Sequence, residues 1–154
     1  MDCKERLEAY LRENHIPFQV QHHPLAYTAQ EIAESEHVSG NNFAKVVVVF
    51  ASGKMVMLAL PASHKVDIAK ASELFGDLRL AEEDEFEIAF PDCEVGAMPP
   101  FGNLYGLTVF VDRTLADDDA IVFQAGTHTD TISMKYADFE RLVRPIEAEF
   151  AQAA

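Results

Sequence analysis

Apolar positions along this chain recur with two periods, near 3.6 and near 2, and the switches between them outline its elements. Residues 3–14 put Leu7, Tyr10 and Leu11 on one helical face, with charges elsewhere. Asn14 and Pro17 mark the exit. Phe18 and Val20 then alternate with polar neighbours as in a short strand, ended by His22, His23 and Pro24. Thr28, Ala29, Gln30 and Glu31 form a capping-box pattern that predicts a helix over 29–37, followed by a polar loop over 38–42. Runs at 44–51 and 54–60 read as paired strands around Ser52 and Gly53, with Pro61 as a stop. Helical spacing returns over 65–75 through Val66, Ile68, Ala69, Leu74 and Phe75, with Gly76 as C-cap. A short strand at 78–80 and an acidic helix or turn at 82–88 follow.

Strand-like alternation continues at 107–112, 120–124 and 131–134. The spacing of Phe139, Leu142, Val143 and Ile146 predicts a closing helix over 136–150, kinked or divided at Pro145. Helices and strands are mixed without a regular βαβ alternation. That pattern predicts an α+β fold: one domain spanning 1–154, with a mixed, largely antiparallel sheet and flanking helices.

Composition narrows the function classes. The chain is long enough to bury a core, and its hydrophobic content of 49% is that of an ordinary globular protein. No apolar stretch is long enough to cross a bilayer and no signal-peptide core is evident, so a cytoplasmic protein without membrane contact is expected. The formal net charge of -14 argues against DNA and against nonspecific nucleic-acid binding, which need a basic surface. The charge is uneven. Residues 1–77 carry 7 Lys and Arg against 10 acids, and residues 78–154 carry 5 against 16, so the two parts hold -3 and -11. Lys45, Lys54, Lys65 and Lys70 fall in the milder part, which leaves room for a small basic patch around Lys45. Cys3 and Cys93, far apart, make neither a disulfide framework nor a zinc site, and Cys93 reads as an incidental thiol. His22 and His23 are adjacent, so on a strand they point to opposite faces and form a poor metal pair. No cofactor or metal is expected.

Two features carry candidate chemistry. Lys45 heads the run Ala44, Lys45, Val46, Val47, Val48, Val49, Phe50. A strand that apolar is mostly buried, and a lysine at its mouth costs free energy unless an anion meets it. The second is the loop Gly96, Ala97, Met98, Pro99, Pro100, Phe101, Gly102. It is rigid and small, so its backbone N–H groups can approach a ligand closely. A cation and exposed backbone donors together suggest a pocket for an anionic or carbonyl-bearing group.

A third block completes a pattern: Ala125, Gly126, Thr127 and His128, then a strand and the last helix. In this order and spacing the chain resembles the YbaK/prolyl-tRNA synthetase-associated domain family over nearly its whole length. The resemblance implies hydrolytic editing in trans. Such an enzyme is a metal-independent aminoacyl-tRNA deacylase that cleaves the ester between a wrong amino acid and tRNA, often tRNA for proline. It also implies contact with the 3′ acceptor end of the tRNA, and an aminoacyl-tRNA synthetase as a possible second partner. Lys45 matches the family's essential lysine; Gly96 and Pro100 match the first and last positions of its Gly-x-x-x-Pro loop.

Lys45 and Gly96 are therefore the expected catalytic residues, with Lys45 as a substrate anchor rather than a general base. Pro100, Phe101, Gly102, Gly126, His128 and Thr28 are the expected substrate-binding residues. His128 either lines the pocket or bonds a backbone carbonyl, and Thr28 serves first as an N-cap. The alternative is a non-catalytic module of the same fold that binds an acceptor end or a synthetase. A Schiff-base enzyme using Lys45 stays open as a third reading. A monomer is the default expectation.

Overall fold

The run at 43–51 is apolar at nearly every position because both of its faces are covered. In the computed structural model, which describes residues 1–26, 28–36 and 39–154, it forms the central strand β2 (Phe43–Ala51). Ala44 and Val48 point into the main core, while Val49 points into a second cluster around Phe150. Ser52 and Gly53, both at positive φ, turn the chain into β3 (Lys54–Pro61). β2 and β3 pair antiparallel over their whole length, with Lys45 opposite Leu60.

Around this hairpin stand α1 (Cys3–Glu13), β1 (Gln19–His22), α2 (Ala29–Ser35), β4 (His64–Val66), α3 (Ile68–Phe75), β5 (Leu78–Leu80) and α4 (Glu83–Ala89). After the glycine-proline loop and a 3₁₀ turn come β6 (Val109–Asp112), α5 (Arg113–Ala116), β7 (Ala120–Gln124), β8 (Asp130–Lys135), α6 (Tyr136–Val143), β9 (Ile146–Ala148) and β10 (Ala151–Ala153). Among the described residues the main sheet runs β1-β8-β7-β2-β3-β6-β9, with β5 also paired to β2; β4 and β10 form a separate ribbon. β7, β6 and β9 join by parallel pairing and the rest antiparallel, which is the mixed α+β arrangement expected.

The main core lies on the face of β2 that carries Ala44 and Val48. Leu7 and Leu11 of α1, Phe139 and Val143 of α6, Phe123 of β7 and Phe101 fill it. Phe101 sits edge-on to Phe139 and tilted against Phe123, both at 5.5 Å between centroids. A fully buried side chain of this size stabilises the fold by about 1.5–3 kcal/mol.

Four expectations need correction. The last helix ends at Val143, not 150. Arg144 adopts a left-handed conformation and Pro145 has no N–H to continue the helix, so the chain leaves as β9 and β10. Ile146 consequently does not face inward; it pairs with Phe110 on the sheet edge and is 51% exposed. Residues 64–66 are a strand rather than helix, because Asp67 caps α3 through the Lys70 N–H and fixes its start. Cys3 and Cys93 are not incidental thiols. They form a disulfide with Cα atoms 4.9 Å apart, which their sequence separation of 90 concealed. The predicted end of α2 at His37 lies outside the described residues.

Asp112 closes the C-terminal segment onto β6. Its carboxylate accepts the N–H groups of Phe150 and Ala151, both at 2.9 Å, and that of Thr114 at 3.1 Å. Burial pushes this carboxyl up, but the Thr114 hydroxyl and these three N–H groups outweigh it and hold its pKa below the usual value.

Candidate active site

Lys45 is half-buried near the start of β2. It lines a cavity of about 350 Å³ with Thr28, Gln30, His64 and Lys65. α2 forms one wall. Thr28 caps this helix by accepting the Glu31 N–H at 3.1 Å, and its hydroxyl donates to the Glu31 carboxylate at 2.8 Å. Gln30 then ties the helix to the Ala62 carbonyl at 3.0 Å. Thr28 thus caps the helix and also borders the cavity. β4 adds His64, which the sequence pattern left unassigned, and Lys65, which it placed at the start of a helix. Burial pushes the Lys45 ammonium below the ordinary lysine value. Among the described residues no carboxylate lies within ion-pair distance of Lys45 or Lys65. Lys45 and Lys65 thus place positive charge in this cavity, whose lining also includes Ala154, on a chain of net charge -14.

Gly96 lines a different cavity, of about 560 Å³, with Glu83, Phe86, Glu94, Val95 and His128. Gly96 is exposed and has φ +83, a conformation that glycine alone adopts without strain. Among the described residues its N–H meets no protein acceptor, so it is a backbone donor open to a ligand. The rest of the loop is held. Ala97 donates to the Glu94 carbonyl at 3.0 Å, Glu94 donates to the Gly126 carbonyl at 2.8 Å, and Gly126 donates to the Ala97 carbonyl at 2.9 Å. His128 donates its N–H to the Glu94 carboxylate at 3.0 Å and sets its Nε2 2.8 Å from the Val95 carbonyl oxygen. His128 therefore lines the pocket and bonds a backbone carbonyl at once. The loop and the 125–128 block, far apart in sequence, are two halves of one hydrogen-bonded unit.

The remaining expected residues support this loop from behind. Pro100 is buried, Phe101 lies in the core, and Gly102 is buried where a Cβ would meet Val109 Cγ2 at 2.8 Å. Gly126 has φ +97, and a Cβ there would meet the Cys3 sulfur at 2.6 Å. Lys45 and Gly96 line different cavities, so the structure does not bring the two expected catalytic residues into one pocket. Ala26 donates to the His128 carbonyl at the outer limit of 3.5 Å, and Thr28 lines the Lys45 cavity.

His22 ends β1 and His23 lies just past it, and the two do point apart. His22 is exposed beside Asp130, and His23 is buried with its Nε2 4.0 Å from the Glu36 carboxylate. The one cluster of metal-ligating side chains among the described residues is Cys3, Asp92 and Cys93, whose sulfurs are already joined. No helix of the described residues is long and apolar enough to cross a membrane.

Comparisons with known proteins bear on family and fold. The family model described as an aminoacyl-tRNA editing domain matches residues 23–142, from the residue after β1 to within α6. A curated relative, the multifunctional Ser/Thr-tRNA deacylase ProXp-y of Escherichia coli, is 26% identical over 97% of this chain and 93% of its own. A solved structure described as a candidate trans-editing enzyme for prolyl tRNA synthetase superposes with a TM-score of 0.84, at 20% identity and 98% coverage of both chains. A signal transduction protein of Marinobacter aquaeolei also carries the fold, at TM-score 0.72 and 17% identity; this chain spans 30% of its length. At such identities the structural matches speak to the fold alone.

Proposed function

The chain belongs to the aminoacyl-tRNA editing domain family, and on that premise we propose that it is a trans-editing deacylase. It hydrolyses the ester between a small wrong amino acid and tRNA, with tRNA for proline as the first candidate. The exposed, unpaired N–H of Gly96 beside a cavity roomy enough for an aminoacyl group carries this reading. An aminoacyl ester is already activated, so the protein has little to do beyond placing the carbonyl and stabilising the oxyanion that forms on it. Water attacks the ester carbon, and its oxygen forms the new bond. The bond to the ribose oxygen breaks, and that oxygen takes up a proton as the amino acid leaves. Gly96 donates to the carbonyl oxygen as negative charge develops there.

Lys45 acts at a distance from the reacting carbon. It meets a phosphate near the 3′ end of the tRNA, in the cavity it shares with Lys65. An ammonium that has lost hydration without gaining a protein carboxylate recovers that loss when a phosphate arrives. An acceptor end held at Lys45 extends its aminoacyl group toward the Gly96 cavity. Pro100, Phe101, Gly102 and Gly126 fix the loop, and His128 fixes it and borders the amino-acid side chain. No metal takes part in this scheme. Serine and threonine head the candidate amino acids because they are the ones in the E. coli relative's name, with alanine and cysteine next. One methylene more or less yields only about 1–3 kcal/mol of discrimination, so more than one small amino acid is accepted.

The test is ester loss from tRNA for proline charged separately with serine, threonine, alanine, cysteine and proline. Consumption of one or more wrong esters supports the deacylase. Protection of the same esters from spontaneous hydrolysis would instead establish the non-catalytic binding module.

A further inference from the structure

We infer that Cys3 and Cys93 form a reversible thiol–disulfide exchange site whose state sets how firmly the Gly96 loop is held. The pair is placed to do so. Cys93 opens the segment that continues through Glu94 and Val95 to Gly96, and Cys3 is the first residue of α1. The cross-link therefore clips the loop to a helix packed in the core by Leu7 and Leu11. Besides the sulfurs, Cys3 donates its N–H to the Asp92 carbonyl at 2.9 Å, and Gly126 lies against the Cys3 sulfur where any side chain would collide. The disulfide thus meets both halves of the loop unit, 92–97 and 125–128.

The site is open to a small reagent. A cavity of about 220 Å³, lined by Asp2, Lys4, Pro91, Glu94 and Thr127, leads to both sulfurs. Cys93 is partly exposed while Cys3 is 2% exposed, so an incoming thiolate reaches Cys93. It bonds to the Cys93 sulfur, the protein S–S bond breaks, and Cys3 leaves as a thiolate. That anion forms at the N-terminus of an eleven-residue helix, where the backbone dipole favours negative charge. The Tyr105 hydroxyl, 3.4 Å from the Cys3 sulfur, is a second donor. It now donates to Asp92 at 2.8 Å, and burial together with the Asp92 carboxylate keeps it protonated. Arg6 stands 3.6 Å from Asp92 and offsets that carboxylate's repulsion of the thiolate. A second thiol then attacks the mixed disulfide and releases Cys93. The balance is protein disulfide plus two small thiols giving protein dithiol plus one small disulfide, with two electrons and two protons passing to the protein sulfurs. The reverse reaction uses a small disulfide as oxidant.

The consequence for activity rests on the deacylase reading, so the test separates the two. The full-length protein is equilibrated in glutathione buffers from fully reduced to fully oxidised, and free thiols are counted by alkylation. Amide hydrogen exchange is then followed over 92–97 and 125–128, without any substrate. The expected result is a reversible passage between no free thiol and two, with exchange in these segments about tenfold faster in the reduced protein. In Cys93→Ser and in Cys3→Ser, amide exchange over 92–97 and 125–128 should match the reduced protein and no longer show the cross-link-dependent slowing in oxidised glutathione. Thiols that do not interconvert, or exchange that is the same in both states, would overturn the proposal. Ester hydrolysis by the oxidised protein is scored separately: its absence removes the deacylase reading and leaves the exchange result to decide this one.

Discussion

Replacing Lys45 by methionine separates a functional lysine from a structural one. Methionine keeps most of the apolar stem and removes the ammonium. The ammonium is half-buried, has no carboxylate partner among the described residues, and is pushed by burial below the ordinary lysine value. Removing it relieves a desolvated charge instead of breaking an ion pair. Stability should therefore stay within about 0.5 kcal/mol of wild type or rise. Activity should move the other way. A hydrogen bond to a charged group is worth about 1.5–3 kcal/mol, and each 1.36 kcal/mol is tenfold, so kcat/KM for ester hydrolysis should fall roughly 10- to 150-fold. Lys45→Arg keeps the charge and should recover part of the loss. The assay is single-turnover hydrolysis of charged tRNA, run beside thermal unfolding of the same preparations. Unchanged kcat/KM, or a loss of activity that tracks a loss of stability, would refute the anchor argument.

Other consequences follow from the same geometry. Gly96→Ala leaves ordinary space for its Cβ, 3.8 Å from His128 Cε1, but strains a residue at φ +83; the loop should shift and kcat fall about 10²–10³-fold, as when one oxyanion donor is lost, with KM little changed. Asp112→Ala leaves the Phe150 and Ala151 N–H groups without their acceptor and should cost about 3 kcal/mol, read as a lower unfolding midpoint in urea. Because hydrogen bonds depress the Asp112 pKa in the folded state, its contribution is fully present above the unfolded value near 3.8 and is lost as pH falls through the folded value. The stability gap between wild type and Asp112→Ala, measured by urea unfolding from pH 7 downward, should narrow only below about pH 4. Treatment with a chelator followed by gel filtration should leave ester hydrolysis unchanged, and a loss restored by one divalent metal would contradict the metal-free scheme.

The elements legible in the sequence are those fixed locally. The β2–β3 hairpin follows from two apolar runs around Ser52 and Gly53, and α2 from the Thr28 and Glu31 pairing. What failed depended on distant partners. β9 looks helical by spacing, but Pro145 ends the helix and strand β6 receives the chain. The Cys3–Cys93 bond joins the first helix to a loop ninety residues later, and no spacing rule reaches that far. Within the candidate site, Lys45 and Gly96 stood out because each is anomalous in place, a charge in an apolar strand and a glycine opening a proline loop. Glu94 did not, because an acid in an acidic segment is ordinary until the fold sets it beside His128; Lys65 showed only as one of four lysines in the milder half until the fold set it in the Lys45 cavity.

The central claim is that this chain edits, so it must consume a wrong ester and spare the right one on the same tRNA. The most direct measurement is the ratio of single-turnover hydrolysis rates for tRNA for proline carrying serine and carrying proline. The account predicts faster loss of the seryl ester, by about tenfold or more, with prolyl-tRNA decaying at the rate seen without protein. Equal hydrolysis of both esters, or hydrolysis of neither by folded protein, would contradict it.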